Sequence, residues 1–265
     1  MTPLSEPWAT ALLRPQIALA ALELARLSGV VAVSPVPFVN LPKKVKVGLI
    51  LFLLVAVHGQ GESPVREIES AGWVAMRCSV ELLIGISIGM IVRLCIATAE
   101  IAGGAISMPM GFGASQAFDP ASGTTDTVLT RVFRTLAMLL AIAIGLHRVM
   151  LQALLESFHF LPVGTVTHVE ATFPLFLELS SHVITTGVQL ALPLFAILLM
   201  ANVALGFVSR AAPTMQIFNV GFAVLLATGA AVTLLLLPDF GRELVEDFRQ
   251  NAIYFERLFA DLSAS

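Results

Sequence analysis

Charge is scarce in this chain: Lys, Arg, Asp and Glu together make up 12% of its 265 residues, about half the share found in soluble domains. Too little polar surface is available to wrap a water-exposed globule, which excludes an ordinary soluble fold. The two cysteines, Cys78 and Cys95, lie seventeen positions apart in one apolar segment. Along a helix rising ~1.5 Å per residue that is about 25 Å, too far for a disulfide, so they say nothing of redox compartment. The net charge of -3 is spread over loops and tail with no basic tract and no acidic block, which excludes nucleic acid as a partner and a solvating tail as a feature. No HExxH and no Cys/His cluster with ligand spacing is present, and Gly111 and Gly113 precede no Lys-Ser/Thr pair. Zinc chemistry and phosphate binding thus lack their motifs, and no cofactor or metal is expected. The opening residues, Met1 to Pro15, also lack the basic region of a cleaved signal peptide, so the apolar stretch after them is expected to be retained.

What is there is apolar: 57% hydrophobic residues and a mean hydropathy of +0.90, against roughly 45–50% apolar in soluble domains. About six apolar segments follow one another: 16–33, 47–57, 73–102, 128–158, 171–208 and 217–237. An all-α membrane-associated fold is expected, with Pro193 kinking the fifth segment and Pro238 ending the sixth. The eleven residues of 47–57 are short for a ~30 Å hydrocarbon layer. Lys/Arg bias gives no consistent orientation, because Lys43, Lys44, Lys46 and Arg210 fall on one side of a six-span topology and Arg242, Arg249 and Arg257 on the other. Long helices bent into hairpins inside a larger helical assembly accommodate this pattern. From Phe240 to Leu262, apolar residues recur at three and four, so 240–265 reads as an amphipathic C-terminal helix appended to a core of residues 1–239.

The central stretch, 103–126, stands apart. It holds Gly and Pro, no charge before Asp119, and the apolar side chains Ile106, Met108, Met110, Phe112 and Phe118. Disorder calls for low hydrophobicity and high charge, and structureless loops beyond about 12–15 residues are usually functional when they are ordered. Pro109 removes an amide donor, Gly111 and Gly113 open backbone angles closed to other residues, and thioethers adapt to irregular gaps. A soft apolar stopper in a conduit has this composition; so has a loop lying on its neighbours.

Among the apolar segments, Arg77, Glu81, Arg93 and Glu100 are charges that lipid penalises by about 2.5–3.5 kcal/mol each at its centre. Arg77 and Glu81 are four apart and expected to pair on one helical face; Arg93 and Glu100 need partners elsewhere. Gly85-Ile86-Ser87-Ile88-Gly89 matches the G-x-S-x-G nucleophile pattern, which works on a strand-to-helix turn. Inside an apolar helix the same residues spell a GxxxG packing face through Gly85 and Gly89. An intramembrane serine hydrolase on Ser87 with His147 as base, and a secondary transporter built on broken helices with buried charges, are the rival readings.

The order of motifs resembles the FliR/SctT export-gate family of type III secretion. The resemblance runs from about Leu19 to Pro238: Arg26-Leu-Ser-Gly29 before Pro37, Pro42 and a basic cluster; Glu81-Leu-Leu-Ile-Gly85 before Gly89; Ala102 to Gly113 before Asp119-Pro120; Gly145-Leu-His147 before Ser157-Phe158 and Leu161-Pro-Val-Gly164; and Asn202, Gly206 and Arg210-Ala-Ala-Pro213 before Phe218-Asn-Val-Gly-Phe222. Pro213-Thr-Met-Gln216 departs from the family's more usual Pro-Gln-Met-Asn run. The central loop and the Pro-Val-Gly turn favour the flagellar branch. The resemblance implies a non-enzymatic component of the bacterial inner (cytoplasmic) membrane, in a flagellar basal body or injectisome. There it would join FliP-like and FliQ-like subunits in a helical pore and meet FlhB-like and FlhA-like components as unfolded export substrates pass. It implies that the loop plugs the closed channel, with Ile106, Met108, Pro109, Met110, Gly111, Phe112, Gly113 and Phe118 as the plug.

Overall fold

Backbone amides in an apolar solvent must be satisfied within their own segment, and a chain this poor in charge meets that demand by coiling. The computed structural model describes residues 15–35, 42–58, 70–112, 127–166, 170–211 and 217–263, and among these it is helical, with no strand. The helices are α1 (Pro15–Val33), α2 (Lys43–Val57), α3 (Ala71–Ser107), α4 (Val128–Ala143), α5 (Leu146–Phe160), α6 (Phe173–Ala211), α7 (Ile217–Asn251) and α8 (Ile253–Ser263), with a single 3-10 turn at Glu170–Thr172.

The expected six segments reduce to four long enough and apolar enough to cross a membrane, Gln16–Val33, Gly72–Ser107, Phe173–Arg210 and Gly221–Ser263, or five if α4 and α5 count as one broken span. At ~1.5 Å per residue, the 15 residues of α2 fall short of a ~30 Å layer. The segment 128–158 is two helices, because Gly145 adopts φ +82° at the break. Pro193 lies inside α6 and Pro238 inside α7. Pro238 therefore does not end its helix: α7 runs on to Asn251, and the amphipathic tail begins as its last three turns.

The chain divides into two compact units, and α3, α6 and the α7–α8 pair each contribute to both. The first comprises residues 1–93, 145–179 and 251–265. Its interior is built by α1 lying against α3. A Cβ added to Gly85 would run into the Arg26 carbonyl, one on Gly29 would lie 2.8 Å from the Ile86 nitrogen, and one on Gly89 would lie 3.0 Å from the Val30 carbonyl. Small residues there let two backbones meet.

Beside this contact Arg26 is fully buried, which is tolerable only for a charge that is paired and fully hydrogen-bonded. Its Nε donates to Glu81 Oε2 at 2.6 Å, Nη1 to the Ser157 carbonyl at 2.8 Å and hydroxyl at 3.2 Å, and Nη2 to the Leu161 carbonyl at 3.0 Å. The guanidinium also lies 4.6 Å from the Phe158 ring centroid. The other Glu81 oxygen accepts from the Gly164 amide at 2.8 Å, so one ion pair anchors α1, α3 and the turn after α5.

The second unit comprises residues 94–144 and 180–250. Here α3 is the central rod. Gly103 admits α4, since its Cβ would meet Phe133 Cβ at 3.0 Å, and Gly187 of α6 sits where a Cβ would meet the Thr98 carbonyl at 2.8 Å. Phe133 meets Phe240 of α7 edge-on, with centroids 4.8 Å apart. Asp247 of α7 accepts from Thr98 at 3.3 Å and lies 2.9 Å from His182 Nε2.

Candidate functional site

The site is the turn that ends α3. Gly103 and Gly104 were expected to open the loop, but α3 continues through them to Ser107, because Gly103 is spent on the approach of α4. The helix is then closed by two bonds, Phe112 N–H to the Ser107 carbonyl at 3.1 Å and Gly111 N–H to the Met108 carbonyl at 3.1 Å. With Gly111 at φ +87°, this is the Schellman closure, a 6→1 and a 5→2 bond around a left-handed residue. The Ser107 hydroxyl bonds back to the Gly104 carbonyl and receives Thr127 from the start of α4 at 2.9 Å.

Three consecutive residues of this turn are held by two different helices. The Pro109 carbonyl accepts from Asn202 Nδ2 of α6 at 3.1 Å, while the same nitrogen also donates to the Leu198 carbonyl at 3.0 Å. Met110 is 1% exposed and fills the place of a missing side chain on α7: a Cβ on Gly229 would lie 2.7 Å from its Sδ and 2.9 Å from its Cγ. Gly111 lies against the Phe222 ring, whose edge a Cβ would meet at 3.1 Å. Phe222 and Gly229 are seven apart, two turns of α7, so both fall on one face.

Of the other plug candidates, Ile106 is buried, Met108 is 73% exposed, and Pro109 and Phe112 are half-buried. Gly113 and Phe118 lie outside the described residues. Beside Ile106 is a cavity of about 440 Å³, walled by α3, α4, α6 and α7. Pro193 lines it and supplies no amide to the Gln189 carbonyl one turn earlier.

Residues 17–251 match the family described as Bacterial export proteins, family 1. The chain belongs to that family. It is 32% identical over 200 residues to the flagellar biosynthetic protein FliR of Escherichia coli strain K12, covering 75% of this chain and 76% of that one. It is 32% identical over 196 residues to the FliR of Pectobacterium carotovorum, covering 74% of each, and 26% identical over 237 residues to that of Caulobacter vibrioides, covering 89% of this chain and 94% of the relative. The chain is thus an all-α membrane component of flagellar protein export, in a family of structural proteins rather than enzymes.

Several of the motifs that carried the family resemblance meet in the first unit: Arg26, Gly29, Glu81, Gly85, Gly89, Ser157, Leu161 and Gly164 all belong to the ion-pair node and the α1–α3 contact. The expected Arg77–Glu81 pair does not form. Glu81 is taken by Arg26 and the Gly164 amide, two partners that its own helix cannot supply, and Arg77 donates to the Val166 carbonyl at 2.6 Å and lies over Trp73. Glu100 pairs with Arg134 of α4 at 2.5 Å, whereas Arg93 is exposed. The Ser87 hydroxyl donates to the Leu83 carbonyl at 2.9 Å from mid-helix, which is helix back-bonding and not a nucleophile turn. Sequence reasoning missed Asn202 and Gly229 as site residues. Their signals were a single amide in the apolar run 191–208 and a Gly in the uncharged first part of α7.

Proposed function

We propose that this chain is a non-enzymatic pore component of the flagellar export gate in the bacterial inner membrane, and that residues 106–118 plug the closed channel. One observation carries the reading. The apolar turn Pro109-Met110-Gly111 is seated by one hydrogen bond and two shape contacts, a hold firm enough to order it and weak enough to release. Apolar constrictions block ions by dewetting, and a buried Met or Phe is worth about 1.5–3 kcal/mol. A few such side chains close a passage yet yield to an arriving unfolded chain. The cavity beside Ile106 leaves the root of the turn unpacked on one side, which favours movement there.

In this reading the chain joins FliP-like and FliQ-like subunits in a helical pore and meets FlhB-like and FlhA-like components. It performs no catalysis, and energy for export comes from elsewhere. The large exposed apolar faces of α6 and α7, with Phe207, Met200, Leu234 and Leu235 all more than two-thirds exposed, support burial against such subunits or lipid. The test is ion conductance of the assembled gate in a planar bilayer. Deleting 106–118, or replacing Met108, Met110 and Phe112 with Gly, is expected to make the gate leak; unchanged conductance removes the plug. Solute uptake by the purified chain alone would favour a transporter instead.

A further inference from the structure

We propose that Gly229 of α7 is the notch that receives Met110 and that Asn202 of α6 is the clip beside it, together setting how readily the turn leaves its seat. The inference rests on the reading of residues 106–118 as a seal and names the residues that hold the seal shut. Glycine is a poor choice for the interior of a helix, and α7 carries one at position 229, buried, where the Sδ and Cγ of Met110 occupy the space of the absent side chain. Thr233, one turn on, donates to the Gly229 carbonyl at 2.6 Å, so the notch backbone is pinned from its own helix. Asn202 spends one amide nitrogen on two carbonyls, Leu198 in its own helix and Pro109 in the turn. That geometry ties the turn to the register of α6.

The notch also has a built-in asymmetry. At Gly29, Gly85 and Gly89 an added methyl runs into backbone, as at Gly85 against the Arg26 carbonyl. At Gly229 it meets the far end of a flexible thioether. Alanine at 229 therefore leaves α7 in place and dislodges Met110 alone. The two methionines of the turn report this independently of any current: Met108 is 73% exposed and Met110 1% exposed.

The experiment is graded hydrogen peroxide oxidation of the purified gate complex, read by peptide mass spectrometry, alongside its ion conductance in a planar bilayer. In the native protein Met110 is expected to oxidise at least about tenfold more slowly than Met108, following exposure. In Gly229→Ala the two rates converge and conductance rises. In Asn202→Ala protection of Met110 falls part-way. Adding Met110→Val to Gly229→Ala, a shorter side chain for a filled notch, returns conductance toward the native level. Converged rates without raised conductance uphold the notch and reject the seal. Continued protection of Met110 in Gly229→Ala overturns the notch, whatever the current. Should Gly229→Ala fail to assemble, assembly of the pair with Met110→Val supports the notch, and failure of that pair as well overturns it.

Discussion

The two units solve the same problem, fixing a turn that follows a helix, in opposite ways. After α5, the turn Leu161–Gly164 is held by a buried ion pair: Arg26 and Glu81 each bond to its backbone and to one another. After α3, the turn Met108–Phe112 is held by a methionine in a glycine notch, an aromatic edge and one amide. The first hold is directional and collapses if either partner is lost, because the survivor is left charged and buried. The second is graded, and each contact can be weakened alone. A permanent joint suits the first kind of chemistry and a releasable one the second.

The largest effect should come from breaking the permanent joint. Glu81→Ala strands Arg26 in the interior and is expected to cost about 3–5 kcal/mol, seen as a sharp fall in the thermal unfolding temperature of the purified chain. Arg26→Met with Glu81→Met, which removes both charges, should recover most of that loss. A double variant no better than Glu81→Ala would mean that the pair matters for shape rather than charge. Next, Met110→Ala should lower stability by roughly 2–5 kcal/mol, the range for emptying a buried Met site. Met108→Ala, two residues away and exposed, should stay within about 0.5 kcal/mol; equal effects at the two would erase the seat.

Gly85→Ala forces a methyl against the Arg26 backbone and should cost about 1–3 kcal/mol. Gly48→Ala, with nothing within 4 Å, should be neutral or stabilising by up to about 1 kcal/mol. Asn202→Ala should cost about 0.5–1.5 kcal/mol for one hydrogen bond, measured by the same unfolding assay.

The apolar runs and the GxxxG face were legible in the sequence because they are local patterns, and Gly85 and Gly89 could be read from spacing alone. Boundaries were less so. Gly103 looks like a helix breaker in one dimension and is a contact residue in three, since only the approach of Phe133 explains it. Pro238 sits mid-helix because the residues after it go on packing one apolar face as helix, with Phe240, Leu244 and Phe248 buried. The Arg77–Glu81 spacing was a sound local expectation, defeated by Arg26, 55 residues away. Of the seat, Met110, Pro109 and Gly111 could be named from composition, while Asn202 and Gly229 could not, because their meaning lies wholly in what they touch.

The central claim is that a seated apolar side chain keeps the closed gate tight. Single-channel recording of the assembled gate with Met110→Gly tests it most directly. Removing about 1.5–3 kcal/mol of burial should raise the open population, and with it the ion current at rest, by roughly 10- to 150-fold at ~1.4 kcal/mol per decade. A resting current indistinguishable from that of the native gate would contradict it.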